Sequence, residues 1–174
     1  MTTKLVISAL GVDRPGIVND LSNIIYTHEL NIEDSRMTVL GGEFAVLLLV
    51  SGDQAAIDKF QKISGDIEQT LKLQLLIKAT ADTVPAADAI PYSVEVTALD
   101  NPGIVNNIAN FFSCRNINIV NLETESYAAP HTGSPMFAMH LTIGISAETN
   151  IATLREEFTE ICDQLNLDAE LTHL

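Results

Sequence analysis

Two kinds of apolar spacing alternate along this chain. Residues 5–10 form a short, weakly alternating apolar stretch, as residues 94–99 do, and both predict strands. Ile17, Val18, Leu21, Ile24 and Ile25 follow at i, i+1, i+4, i+7 and i+8, which is one face of a helix. Pro15 precedes this stripe at a place where a first helical residue tolerates proline, because that residue's N–H has no intrahelical acceptor anyway. A strand is predicted from near Asn31. Gly41-Gly42 signals a hairpin, and residues 44–50 are the next strand. Ile57, Phe60, Ile63 and Ile67 make a second helical stripe. Leu71, Leu73, Leu75 and Ile77 then alternate with Lys72, Gln74 and Lys78, as a half-exposed strand does. The order is βαββαβ, an α+β, ferredoxin-like arrangement: an antiparallel sheet with helices on one face.

The pattern occurs twice. Shifted by 87 positions, Asp13-Arg14-Pro15-Gly16-Ile17-Val18-Asn19 falls on Asp100-Asn101-Pro102-Gly103-Ile104-Val105-Asn106, with one difference. The helical stripe falls on Ile104, Val105, Ile108, Phe111 and Phe112, and Asn31-Ile32 falls on Asn118-Ile119. The two stripes are expected to include the most buried helical positions. Two tandem copies of one unit follow, each of roughly 75–85 residues, small but feasible for a domain. Residues 79–91, ATADTVPAADAIP, have no apolar period and two prolines, and read as a linker between domains at 1–78 and 92–174. Phe44-Ala45 pairs with Phe137-Ala138 at an offset of 93, so six extra residues enter the second hairpin, within 128–135. This segment reads as a long loop, with a lid or a partner contact as the alternative.

The 174 residues are 47% hydrophobic and 18% charged, which supplies a core and argues against disorder. No apolar run approaches the roughly 18–20 residues of a membrane span, and the N-terminus lacks a signal-peptide pattern. The net charge of −14 argues against direct nucleic-acid binding, which needs clustered cations, and against anionic lipid. It suits a solvated acidic surface or a basic protein partner. Cys114 and Cys162 fit neither a disulfide framework nor a zinc motif, and read as small buried hydrophobes in a cytoplasmic protein.

Candidate chemistry centres on the strand–helix junction at Asp13-Arg14-Pro15-Gly16. The first N–H groups of the helix lack acceptors and sit at the positive end of its dipole, where a carboxylate or phosphate can bind. Gly16 lets a ligand reach the main chain, and Asp13 adds a negative charge alongside. An anion and a cation on adjacent atoms, as in a free α-amino acid, match both. The alternative is that Asp13 and Pro15 only shape the turn, with Asp13 capping the free N–H groups. Asn31 and Asn118 open the next strand, either as turn residues or as a donor and acceptor for a polar ligand. That topology allows the strand's start to lie near the first loop. Catalysis finds little support. His28, His131, His140 and His173 are scattered, no nucleophile motif is present, and no cofactor or metal site is indicated. His140 interrupts a strand where the first copy has Leu47, and reads as a structural or edge histidine. A small phosphatase using Arg14 and Asn31 is a distant alternative.

The Asp-Arg-Pro-Gly-Ile-Val junction, the following helix stripe, the Asn-Ile pair and the βαββαβ order resemble the ACT domain, a small amino-acid-sensing module. Two copies filling the chain resemble the glycine cleavage system transcriptional repressor family. The resemblance implies ligand binding at the loop between first strand and first helix, often where two ACT units meet, an arrangement open to homo-oligomers. Residue by residue it marks Asp13, Arg14, Gly16, Ile17, Val18, Asn19 and Asn31. In the second copy it marks Asp100, Asn101, Gly103, Ile104, Val105, Asn106 and Asn118, departing from the pattern at Asn101. It further implies a non-enzymatic regulator that binds a small amino acid, with glycine favoured. Such a regulator acts by protein contact on a DNA-binding transcription factor. A regulatory subunit of an amino-acid metabolic enzyme is the alternative.

Overall fold

The structure, a computed structural model, describes residues 3–81 and 89–174. The chain divides into two compact units, Met1–Thr83 and Val84–Leu174. In the first, β1 (Thr3–Val12), α1 (Ile17–Thr27), β2 (Asn31–Leu40), β3 (Glu43–Gly52), α2 (Gln54–Lys62), α3 (Ser64–Leu71) and β4 (Gln74–Thr80) follow in order. The second contains β5 (Ala89–Leu99), α4 (Ile104–Ser113), β6 (Asn118–Ala128), β7 (Pro135–Ser146), α5 (Ile151–Gln164) and β8 (Asp168–His173). The sheets run β2-β3-β1-β4 and β6-β7-β5-β8, and every pairing is antiparallel. Each unit is the expected ferredoxin-like fold.

Alternation in the central strands sets which face carries the helices. Leu5, Ile7 and Ala9 of β1 and Phe44, Val46, Leu48 and Val50 of β3 are buried, and the residues between them face away. Ile17, Leu21 and Ile25 seat α1 on that inner face. Ile104, Ile108, Phe111 and Phe112 do the same for α4. In the second core the rings of Phe111, Phe112 and Phe158 lie 5.2 to 5.5 Å apart, locking α4 to α5. Asp53 and Asn150 cap α2 and α5 by accepting from Ala56 N and from Ala152 and Thr153 N.

Several expectations are corrected. Val18 and Val105 are 51% and 38% exposed, because a position at i+1 lies about 100° from the residue that starts the stripe. Ile24 is only partly buried. The second helical stripe is carried by two helices, and Leu71 ends α3 instead of opening a strand. Lys72 then turns left-handed, with φ 56°, and resets the alternation before β4. Pro15 is not helical but sits in a turn two residues before α1. Cys114 is exposed, and only Cys162 is buried. His140 is exposed on β7, an interior strand of its sheet rather than an edge. Of the expected linker, Ala79 and Thr80 belong to β4 and residues 89–91 to β5, and residues 82–88 lie outside the described residues. The enlarged hairpin closes over 129–134, tied by Ala129 N to Ser134 O at 2.8 Å and Gly133 N to Ala129 O at 2.9 Å.

Candidate functional site

Each strand–helix junction is built by a tight turn. Ile17 N donates to Arg14 O at 3.3 Å, with Pro15 and Gly16 between. Gly16 has φ 87° and ψ −7°, the left-handed geometry that the third residue of a type II turn requires. Gly103 has φ 100° and ψ −5°. These glycines are therefore demanded by the backbone. A Cβ at Gly16 would meet only the Arg14 guanidinium at 4.0 Å, so space is not the constraint. Asp13 N donates to Gly42 O at 3.1 Å, and Asp100 N to Pro135 O at 2.9 Å, so each junction is tied to the neighbouring hairpin. No side chain caps α1 or α4. Asp13 and Asp100 thus do not take the capping role that sequence alone left open, and the positive ends of both helices face outward uncovered.

The two junctions differ in what surrounds them. In the second unit a cavity of about 550 Å³ opens beside the loop, lined by Asn101, Pro102 and Ile104 together with Ala98, Leu99 and Asn107. Its far wall is Leu165, Asn166 and Leu167, the turn between α5 and β8. Three side-chain amides thus surround a site at a helix N-terminus, offering donors and acceptors with no fixed charge. Asn101 Nδ2 donates to Leu99 O at 3.1 Å. Asp100 and Gly103 adjoin the lining residues, and Val105 and Asn106 lie on the exposed side of the first turn of α4.

At the same positions of the first unit, Arg14 stands for Asn101 and Asp20 for Asn107. These two are joined as an ion pair at 2.8 Å across the turn. Gly11 stands for Ala98. A Cβ at Gly11 would lie 2.7 Å from Lys72 O, so the turn between α3 and β4 rests directly on the strand there. The methyl group of Ala98 forbids so close an approach in the second unit and holds its turn away.

Asn31 and Asn118 do not join the junctions of their own units. Asn31 pairs with Ser51, which pairs with Lys4, at the opposite end of β1 from Asp13. The eight residue steps of strand from Lys4 to Val12 span roughly 26 Å. Asn118 stands likewise, opposite Gly144 and Pro91. Asn31 instead shares a shallow cavity of about 420 Å³ with Asn19, Ser22 and Tyr26 along α1. A phosphatase pairing of Arg14 with Asn31 is therefore not assembled. Asn107 and Asn166 escaped the sequence reading. Asn107 lies one residue beyond the repeated motif, and Asn166 belongs to a distant turn. The only hint for Asn166 is its place just after Leu154, Phe158 and Cys162, an i, i+4, i+8 line that the sequence reading did not single out, where asparagine favours the left-handed backbone it adopts, φ 54°.

Among the described residues no group of three or more His, Cys, Asp or Glu could hold a metal ion. No helix of the structure is long and apolar enough to cross a membrane. Burial, helped by the charge of Asp163, raises the Cys162 thiol from 9.0 to about 11.

Comparison with known proteins agrees with this architecture. Residues 3–74 match the model of the ACT domain. The glycine cleavage system transcriptional repressor of Escherichia coli K12 is 32% identical over 174 residues, 96% of this chain and 88% of that one. A crystal structure of an unknown protein from Galdieria sulphuraria matches all of this chain and 99% of its own, with TM-score 0.82 and 29% identity. Another, provisionally assigned as a glycine cleavage system transcriptional repressor, matches with TM-score 0.73 and 28% identity over all of this chain and 98% of its own. With two ferredoxin-like units of the ACT type along its length, this chain belongs to the glycine cleavage system transcriptional repressor family.

Proposed function

We propose that the chain is a non-enzymatic, cytoplasmic regulator that binds a small amino acid and passes the signal on by protein contact. The observation that carries this reading is the cavity of about 550 Å³ beside the uncapped N-terminus of α4. A carboxylate fits the free N–H groups of the first turn, and an ammonium fits the amide oxygens of Asn101, Asn107 and Asn166. Asp100 adds negative charge beside the mouth. Ligand contact with both the α4 junction and the α5–β8 turn would favour one spacing between them, the differential contact a switch requires. The first unit, with Arg14 held by Asp20, is the weaker site.

Glycine is the favoured ligand because of the family, whose E. coli member is named for the glycine cleavage system. The cavity also admits larger amino acids, so a thermal-shift screen across the amino acids is the first experiment. A ligand that binds only the folded chain must raise its melting temperature. No stabilisation by any amino acid would refute the sensing role. The partner proposed is a DNA-binding transcription factor, since a chain of net charge −14 is ill suited to gripping DNA itself. A pull-down in the presence and absence of glycine should retain such a factor, and an amino-acid metabolic enzyme in its place would move the regulator to that enzyme.

A further inference from the structure

In each unit the helices cover one side of the sheet, and no described element of that unit covers the other. Across their central rows, at equal places in the two units, these faces carry different chemistry, while the end row of the second, Leu99, Met136 and Tyr127, is apolar. In the first, Leu76, Ser8, Leu47 and Arg36 form one row across β4, β1, β3 and β2. In the second, Glu170, Glu95, His140 and Glu123 form that row. Along β1, Val6 and Leu10 stand where Ser93 and Thr97 stand on β5. Leu76, Leu47 and Leu10 are 72, 51 and 45% exposed. One fold thus tolerates a wet polar face at these positions, and the first unit has leucine there instead. Contiguous exposed apolar surface of this kind marks an interaction site.

Charge indicates what covers it. Residues 1–81 hold ten acidic and seven basic side chains, whereas residues 89–174 hold eleven and two. Two copies of this chain therefore repel least through their first units. The row next to the leucines reads Lys78, Val6, Leu49, Asp34, with a cation at one end and an anion at the other. The sheet order β2-β3-β1-β4 puts β1 and β3 at its centre.

We propose that two copies of this chain pair through the bare sheet faces of their first units, about a two-fold axis parallel to the strands and midway between β1 and β3. That operation lays β4 of one copy over β2 of the other, and β1 over β3. Lys78 then faces Asp34 of the second copy, twice. Val6 faces Leu49, Leu10 faces Ala45, and Ser8 faces Leu47. Lys78 meets an opposite charge, and Val6, Leu49, Leu10 and Ala45 form an apolar strip, while Leu76 lies against the alkyl stem of Arg36 of the second copy, a residue paired with Asp34 of its own chain. Sheets packed face to face within about 30° of parallel are a common solution for such surfaces. A self-complementary patch is what an isologous interface requires.

The test is the mass of the full chain in solution, by sedimentation equilibrium without added amino acid. The wild type should weigh twice its 18.8 kDa at micromolar concentrations. Val6→Ser with Leu47→His copies Ser93 and His140, the residues that the second unit carries at the same places. This double variant should be folded by circular dichroism and monomeric. Lys78→Asp and Asp34→Lys should each raise the dimer dissociation constant at least tenfold. Combined, they should restore it, because the reversed charges again face one another. A monomeric wild type would overturn the proposal and leave the face to a different protein. A dimer that survives Val6→Ser with Leu47→His, or a charge pair that fails to rescue, would overturn it too. The amino-acid screen reads a different site, so either result leaves the sensing role to be judged separately.

Discussion

Phe112 lies at the centre of the second unit, fully buried, with the rings of Phe111 and Phe158 5.2 and 5.5 Å away. Phe112→Ala removes a ring from a site that cannot collapse easily, because α4 and α5 meet there. Truncating a buried phenylalanine costs about 3–5 kcal/mol, and the lost aromatic pairs place this case toward the upper end. A domain of this size holds only about 5–15 kcal/mol in all, so a large part of the stability of the second unit rests on one side chain. Val105→Ala on the same helix is the control. Val105 is 38% exposed, and losing it should cost under about 1 kcal/mol. Urea denaturation of the full chain, followed by circular dichroism, reads both changes. The first unit serves as an internal reference, since its own core contains neither residue. A loss below about 1 kcal/mol for Phe112→Ala, or equal losses for the two variants, would refute the assignment of the buried face of α4.

Gly103→Ala should destabilise the second unit by about 1–2 kcal/mol, because φ 100° lies in the left-handed region, and Gly103→Asn should cost less. Thermal melting decides, and an unchanged melting temperature for Gly103→Ala would mean that the turn has another shape. The buried Cys162 thiol is raised from 9.0 to about 11, so the folded state favours the protonated form. Its contribution is complete below pH 9 and is lost as pH rises through about 11, a fall that Cys162→Ala should remove from the stability profile. In the native chain a thiol reagent should modify exposed Cys114 promptly and Cys162 only on unfolding, and simultaneous reaction of both would contradict the burial.

The parts of the fold that depend on local period were legible. An i, i+4, i+8 line in each copy located α1 and α4, and alternation located the central strands. The duplication gave the tandem architecture directly. What escaped depended on where a stripe meets its sheet. Val18 and Val105 belong to the apolar run but lie at its edge, and no spacing rule separates them from Ile17 and Ile104. Leu71 satisfied a helical and an alternating pattern at once, and the left-handed turn at Lys72 decided between them. The junctions were legible as strand-to-helix turns whose capping stayed open, yet the cavity was not. It arises because Ala98 replaces Gly11, Asn101 and Asn107 replace an ion pair, and Asn166 arrives from a turn some sixty residues further along the chain. The distance of Asn31 from its junction follows from strand direction, which the motif does not contain.

The central claim is that the second unit binds an amino acid at the α4 junction. Its most direct test is calorimetric titration of glycine, or of whichever amino acid stabilises most, into the full chain and its variants. The wild type should show saturable binding. Asn107→Leu, checked for folding, removes an amide that faces the ligand's charged groups. Losing a hydrogen bond to a charged group costs about 1.5–3 kcal/mol, a weakening of roughly ten- to hundredfold. Asn19 and Asn31 line a separate cavity, and Asn19→Leu and Asn31→Leu should leave the affinity unchanged. Undiminished affinity in Asn107→Leu, or a loss confined to Asn19→Leu and Asn31→Leu, would contradict the account.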